Sequence, residues 1–353
     1  VFRNLSLLSF LFAILLMKSA QLFAADAVIE LDSPGADELV IAFGSCNDQN
    51  KAQPLWQQIS KQGAAAFIWL GDNVYADTDD MQKMAKIYAQ QKQNPEYQRF
   101  VQNTAVFGTW DDHDYGVNDG GASFAKKQQS AELLLDFLDV PADNPAHKRE
   151  GVYQSYLLNT ELARIKLILL DTRYFRSELN KQGRTTLKND QGTVLGQDQW
   201  QWLEQELQNN DAELTVLASS IQVLPSEHRF EKWDNFPKER KRLLDLLHRY
   251  QKENPKNNLV IISGDRHMAE ISQLNYQGLT LTEITSSSLT HGFFLKRPEQ
   301  NSYRVGKQVY QENYGVLRLH KSAEGLKLRA EIHSQAPASS KTKLDGLAES
   351  IAL

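Results

Sequence analysis

Short apolar runs alternate with amphipathic stretches along most of the chain, and several of the runs end in acidic or metal-binding side chains. Ile41-Ala42-Phe43-Gly44 leads into Ser45-Cys46-Asn47-Asp48, and Phe67-Ile68-Trp69-Leu70 into Gly71-Asp72-Asn73-Val74-Tyr75. Val106-Phe107-Gly108-Thr109-Trp110 leads into Asp111-Asp112-His113-Asp114, and Leu259-Val260-Ile261-Ile262-Ser263 into Gly264-Asp265-Arg266-His267. The alternation predicts a layered α/β domain. Ligands of open α/β sheets bind beyond the carboxyl ends of the strands, so these termini converge if the runs are neighbours in one sheet. Two carboxylates about 4 Å apart repel by roughly 4 kcal/mol at an effective dielectric near 20. A bound cation is the reading that relieves such a cluster.

Apolar spacing predicts helices from Pro54 onward and over 81–91, 95–101, 122–138, 197–207 and 238–248. It predicts paired strands over 152–158 and 164–170, strands over 214–218 and 259–262, a hairpin over 270–284, and two late strands over 316–320 and 326–332. Residues 177–196 and 298–308 read as polar loops, and long loops are commonly functional. The domain is expected over 37–335, with 336–353 a loosely attached tail that forms a helical turn or two over 344–353.

Composition is that of a soluble globule: 353 residues, 41% hydrophobic and 24% charged, with a formal charge of −5. Residues 1–24 read as a signal peptide, with Arg3 before an apolar stretch, Lys18 interrupting it, and small Ala24 and Ala25 at a cleavage site. Its removal subtracts two positive charges and leaves −7, a sign that argues against nucleic acid as a partner. A secreted or periplasmic bacterial protein is expected, without stable membrane insertion after cleavage. The lone cysteine, Cys46, has no intrachain partner and is either a buried small hydrophobe or a metal ligand.

The chemistry-bearing residues divide among these strand ends. Asp72 either satisfies turn amides or points into the crevice. A Tyr75 phenolate beside a thiolate would suit ferric iron. Asp112 or Asn118 offers oxygen to a second metal, while His113 protonates a leaving oxygen with Asp114 fixing its tautomer. Asp265 and His267, one residue apart, point to the same side in extended geometry, with Arg266 facing away. Arg173 and Arg176 offer paired donors that match phosphate oxygens, the alternative being a salt bridge at the sheet edge. His228 and His291 are further crevice candidates; His147, His248, His320 and His333 read as surface or packing residues.

Ser45-Cys46, Gly71-Asp72-x-x-Tyr75, Thr109-Trp110-Asp111-Asp112-His113-Asp114 with Asn118-Asp119, Asp171-x-Arg173, Lys232-Trp233-Asp234-x-Phe236-Pro237-x-Glu239-Arg240 and Gly264-Asp265-x-His267 together resemble the PhoD-like (alkaline phosphatase D) metallophosphatases. The resemblance runs from about Leu39 to His291. It implies an α/β sandwich of two mixed β-sheets flanked by helices; this chain departs from many relatives in length, and Glu30 to Leu39 is expected to leave no room for an extra N-terminal domain. It also implies that Cys46, Tyr75 and Asp72 hold iron, that Asp72 bridges to calcium or another divalent metal, and that Asp265 and His267 complete the ligands. Asp112 and Asn118 stay alternatives for the second metal.

Residues and resemblance both point to metal-assisted hydrolysis of phosphate esters, with hydroxide supplied at the metal pair. Arg173, Arg176 and His291 are expected to bind the substrate. One rival is a phosphodiesterase or phospholipase acting on lipid or cell-wall diesters, and another is an exported metal-binding protein without activity. Calcium modules use oxygen ligands almost entirely, so Cys46 and His267 speak against the latter.

Overall fold

The computed structural model describes residues 25–32, 37–292, 298–322, 325–335 and 347–353. The proposed signal peptide lies outside them. Among the described residues, no helix is long and apolar enough to cross a membrane.

Two sheets form the centre. One runs in the order Leu347–Ala352, Gly325–Ser334, Asn313–Ser322, Glu38–Gly44, Ala66–Leu70, Ala105–Thr109. The other runs Ala27–Glu30, Gln154–Asn159, Arg164–Leu169, Leu214–Ser219, Asn258–Ser263, Leu279–Ser286, Ala269–Tyr276, Arg304–Val309. Both are mixed. Their parallel cores comprise Glu38–Gly44, Ala66–Leu70 and Ala105–Thr109 in one, and the four consecutive strands from Arg164–Leu169 to Leu279–Ser286 in the other.

Burial on both faces explains the near-continuous apolar runs. Leu39, Ile41 and Phe43 point between the sheets and join Leu167, Leu169, Val216 and Ile262 of the other sheet in one core. The alternate residues Val40 and Ala42 face outward and pack with Trp56, Phe67, Trp69, Tyr97 and Phe100. Ile168, Leu217 and Ile261 face outward from the second sheet and pack on Trp200, Leu203, Leu243 and Leu247 of helices Gly196–Gln208 and Pro237–Glu253. Period-two alternation here separates two cores, not core from water.

Local signals set the helix starts. Asp80 accepts from the Gln82 and Lys83 amides, opening Met81–Lys92. Asn94 does the same for Glu96 and Tyr97, with Pro95 in the first turn of Pro95–Val101.

Four expectations are corrected. The acidic strand ends do not belong to one sheet: Asn258–Ser263 sits in the other, and the site forms where the carboxyl edges of two sheets meet. Arg304–Val309, read as loop, is an edge strand, and its mostly exposed side chains leave no apolar period to detect. The loop 177–196 carries a small hairpin, Lys181–Gln182 with Thr185–Thr186. The end of the tail is a strand, not a helical turn: Leu347–Ala352 pairs with Gly325–Ser334, and Ile351 and Leu353 pack against the inter-sheet core.

Truncation of 347–353 therefore removes two core contacts and bares a sheet edge. It is expected to cost about 2 kcal/mol, read calorimetrically as a melting point roughly 3 °C lower. An unchanged melting point would show that this strand adds nothing.

Candidate metal centre

Cys46, Asp72 and Asp265 each sit two residues past a strand, and His267 two residues before the next, where the backbone bends sharply. Cys46, Asp72, Asp265 and His267 all adopt left-handed φ, at 57°, 48°, 68° and 52°. Each such non-glycine residue costs about 1–2 kcal/mol, and strain of this kind collects at functional sites. The bends are tied together: the Asn47 amide donates to the Asp72 carbonyl at 2.9 Å, and the Leu289 amide to the Ser45 carbonyl at 3.0 Å. Gly71, at φ 93°, lies so close to Asp111 that a Cβ there would collide with it.

The side chains form two overlapping groups that share one carboxylate. Cys46, Asp72 and His267 place donor atoms within 4.8 Å of one another, and so do Asp72, Asp112 and His113. The Cys46 Sγ is 3.4 Å from Asp72 Oδ2 and 3.2 Å from Ser287 Oγ. The Tyr75 hydroxyl is 3.3 Å from His267 Nε2, which brings a phenol to the first group. Ser287 also accepts the His267 amide at 2.9 Å.

Electrostatics say what this arrangement lacks. Burial pushes the Cys46 thiol up to about 11. Burial, then the Cys46 and Asp112 charges, raise Asp72 well above the carboxylate range. Burial and the Asp111 charge do the same to Asp265, whose Oδ2 is buried with no hydrogen-bond partner. Burial also raises Tyr75. Anionic donors that cannot ionise beside one another, with an orphaned carboxylate oxygen among them, fit a pair of cations. The donor set of thiol, phenol, carboxylates and imidazole suits transition metals better than an all-oxygen calcium module.

His113 is set differently from expectation. Its Nδ1 is 2.8 Å from Asp77, so Asp77 fixes the ring, and Asp114 does not. Burial disfavours the charged ring, but the Asp77 hydrogen bond and the Asp72 and Asp112 charges outweigh it and raise its pKa to about 10. Asp114 is instead a buried clamp whose oxygens accept the amides of Asp111, Asp72 and Asn73 at 2.7, 3.2 and 3.1 Å. Asp77 escapes sequence reading because Asp77-Thr78-Asp79-Asp80 looks like a solvated acidic turn.

The arginines are also relocated. Arg173 is fully buried and joined to Asp111 and Glu231 at 2.5 and 2.7 Å. Arg176 is buried too, bonded to Glu231 at 3.0 Å and to the carbonyls of Asp119 and Gly120. Neither lines the cavity beside the cluster. Burial opposes ionisation of Asp112, yet Arg173 and His113 outweigh it and hold Asp112 below its usual range. Arg173 thus acts on the site from beneath, as fixed charge. Both guanidiniums are buried on carboxylates and carbonyls and are absent from the cavity lining, which removes them as substrate forks.

Other candidates fall at varying distances. Asn118 lines the cavity and donates to Asp119 at 2.8 Å, while Asp112 accepts the Asp119 amide at 2.6 Å. His291 does not line it; its ring lies 4.5 Å from His267 and 5.1 Å from Tyr75, with Nδ1 on Thr290. His228 is buried without a hydrogen-bond partner, away from the cavity lining. Arg266 does not face away: it lines the cavity and pairs with Glu299 at 2.5 Å, because the left-handed turns at Asp265 and His267 break the extended geometry.

Asp72→Asn deletes the shared charge. Chelated protein should then be more stable than the chelated parent, because a like-charge contact is gone, while the melting-point rise on adding metal disappears. For a cation at a hundred times its Kd that rise corresponds to about 2.7 kcal/mol. A variant that keeps the full metal-dependent rise would remove Asp72 from the centre.

The PhoD-like phosphatase family model matches residues 41–328. Alkaline phosphatase D of Bacillus subtilis (strain 168) is 23% identical over 301 residues, covering 69% of this chain and 49% of the relative. The chain thus spans about half the length of that curated relative. A solved PhoD structure superposes with a TM-score of 0.70 at 18% identity, covering 90% of this chain and 69% of that one. A dimetal phosphatase from Danio rerio superposes at 0.50 with 11% identity, covering 89% of this chain and 98% of that one. Two mixed sheets with a shared-carboxylate cluster at their seam, and a family match over most of its length, place this chain in the PhoD-like phosphatase family.

Proposed function

We propose that the unit spanning 37–335 is a metal-dependent phosphoesterase acting on phosphate monoesters, diesters or both. One observation carries this reading: two donor groups share Asp72 beside a cavity of about 460 Å³. Cys46, Asp72, Tyr75 and His267 would hold one ion, iron being the identity favoured by thiol and phenol donors. Asp72, Asp112, Asp265 and Asn118 would hold the other, calcium or another divalent metal, with oxygen donors. Export to the periplasm or beyond is part of the same proposal and rests on the leader sequence.

When bound, the metal pair supplies charge to the phosphoryl oxygens and makes water acidic enough to deliver hydroxide near neutral pH. The chain supplies the rest. His113 donates Nδ1–H to Asp77, which leaves Nε2 to carry a proton to the departing ester oxygen. The Tyr75 ring lies 4.2 Å from the imidazole, which limits its tilt. Asp114, through the Asp111, Asp72 and Asn73 amides, fixes the two bends that carry Asp72 and Asp112.

The test of the function is hydrolysis of a chromogenic monoester and diester by protein purified without chelator, with metal analysis of the same sample. Hydrolysis that tracks bound metal supports it; a metal-loaded protein inert to both esters refutes it.

His113→Gln should lower kcat by about 10²–10⁴ for esters of alcohols. The loss should be smaller for nitrophenyl esters, whose leaving group needs less protonation. An equal loss for both would remove the acid role.

Asp77→Asn tests orientation separately from acid chemistry. Asp77 raises the His113 pKa, so the protonated ring persists to higher pH when Asp77 is charged. Its loss should move the alkaline limb of the kcat profile to lower pH; an unmoved limb would assign Asp77 a purely structural part.

A further inference from the structure

The hairpin missed by sequence reading forms one wall of the cavity. Lys181–Gln182 and Thr185–Thr186 pair in register around a two-residue turn, Gly183-Arg184. Gly183 takes φ 59° as the first turn residue, the position that asks for glycine in this kind of hairpin. The hairpin is anchored: Thr186 is buried, its amide donates to the Arg229 carbonyl at 2.8 Å, and Asn235 Nδ2 donates to its carbonyl at 3.1 Å. Lys181 adds an ion pair to Asp119, beside Asn118.

Besides His113, three cationic side chains line the cavity: Lys181, Arg184 and Arg266. Lys181 is paired with Asp119, and Arg266 is paired with Glu299 and stacked 4.4 Å from the Phe230 ring. Arg184 pairs with none of the described residues. The bland account is a solvated surface arginine, the common fate of an exposed guanidinium. Two facts favour more: the turn holding Arg184 is tied to the body, and the cavity exceeds what one phosphate needs, falling in the roughly 300–1,000 Å³ range of drug-sized ligands.

Resting on the phosphoesterase reading above, we propose that Arg184 is a specificity residue. It binds a second anionic group carried by the ester substituent, while the scissile phosphate lies at the Asp72 cluster. The preferred substrates are thus phosphoesters whose organic part bears a carboxylate or another acidic group, and the Phe230 ring gives that organic part an apolar contact.

The test compares phenyl phosphate with 4-carboxyphenyl phosphate in the metal-loaded protein and its Arg184→Gln variant. The preference for the carboxylated ester, as a ratio of kcat/KM values, should fall about fivefold, the scale of an exposed ion pair, and the change should sit in KM. Arg184→Lys should keep most of the preference. Calorimetric binding of phenylphosphonate and 4-carboxyphenylphosphonate, which are not turned over, gives a second readout. An equal effect on both ligands, or none on either, overturns the role of Arg184. Failure of the parent protein to hydrolyse either ester refutes the phosphoesterase reading instead, and the phosphonate preference then decides the hairpin inference alone.

Discussion

Anionic donors packed together at the buried floor of a cavity are the constraint around which this molecule is arranged. Cys46 and Asp112 are buried, each within reach of Asp72, and one oxygen of Asp265 has no hydrogen-bond partner. Without cations the cluster must stay protonated or repel itself, which is the direction in which the Cys46, Asp72 and Asp265 pKa values move. Such an arrangement persists only if the surrounding scaffold is rigid enough to impose it.

That scaffold is assembled from backbone as much as from side chains. Four of the cluster residues stand in left-handed conformations, and the bends that carry them are laced by amide–carbonyl bonds across strand ends. Two carboxylates that seem catalytic by composition are part of this lacing. Asp114 gathers three amides, and Asp171 accepts the Trp110 indole N–H at 2.8 Å and the amides of Arg173, Tyr174 and Val152 at 2.9 Å. The run Lys232 to Arg240 is scaffold of the same kind. Trp233 donates to Ser219, Glu239 accepts from Trp200, and Arg240 donates to the Val223 and Leu224 carbonyls.

Beneath the cluster lies a buried counterweight of Asp111, Arg173, Glu231 and Arg176. Removing one member of such a network is costly because it strands a buried charge, by about 3–5 kcal/mol. The arginines therefore act on the donor cluster at a remove, through the charge that holds Asp112 ionised. The lysine and arginine side chains that do line the cavity are the less buried Lys181, Arg184 and Arg266.

Most helix starts, the paired strands and the strand-end position of Cys46, Asp72, Asp112 and Asp265 were legible in the chain itself, because period and apolar runs are local properties, whereas the helix expected from residue 122 begins only at Lys127. The edge strand Arg304–Val309 was not, since its consecutive exposed residues Val305, Gly306 and Lys307 leave no alternation to detect. Nor was the partner of His113, because Asp77 and Asp114 are equally acidic in sequence and only the turn at φ 42° brings Asp77 to the ring. Local chemistry thus determined which residues were available to hold metal and roughly where each strand would deliver them. Only the tertiary structure decided that two sheets share the work, that Asp72 serves both groups, and that the arginines are buried beneath it. The reason is that long-range packing and backbone strain set orientation, and neither is written in any short stretch of the chain.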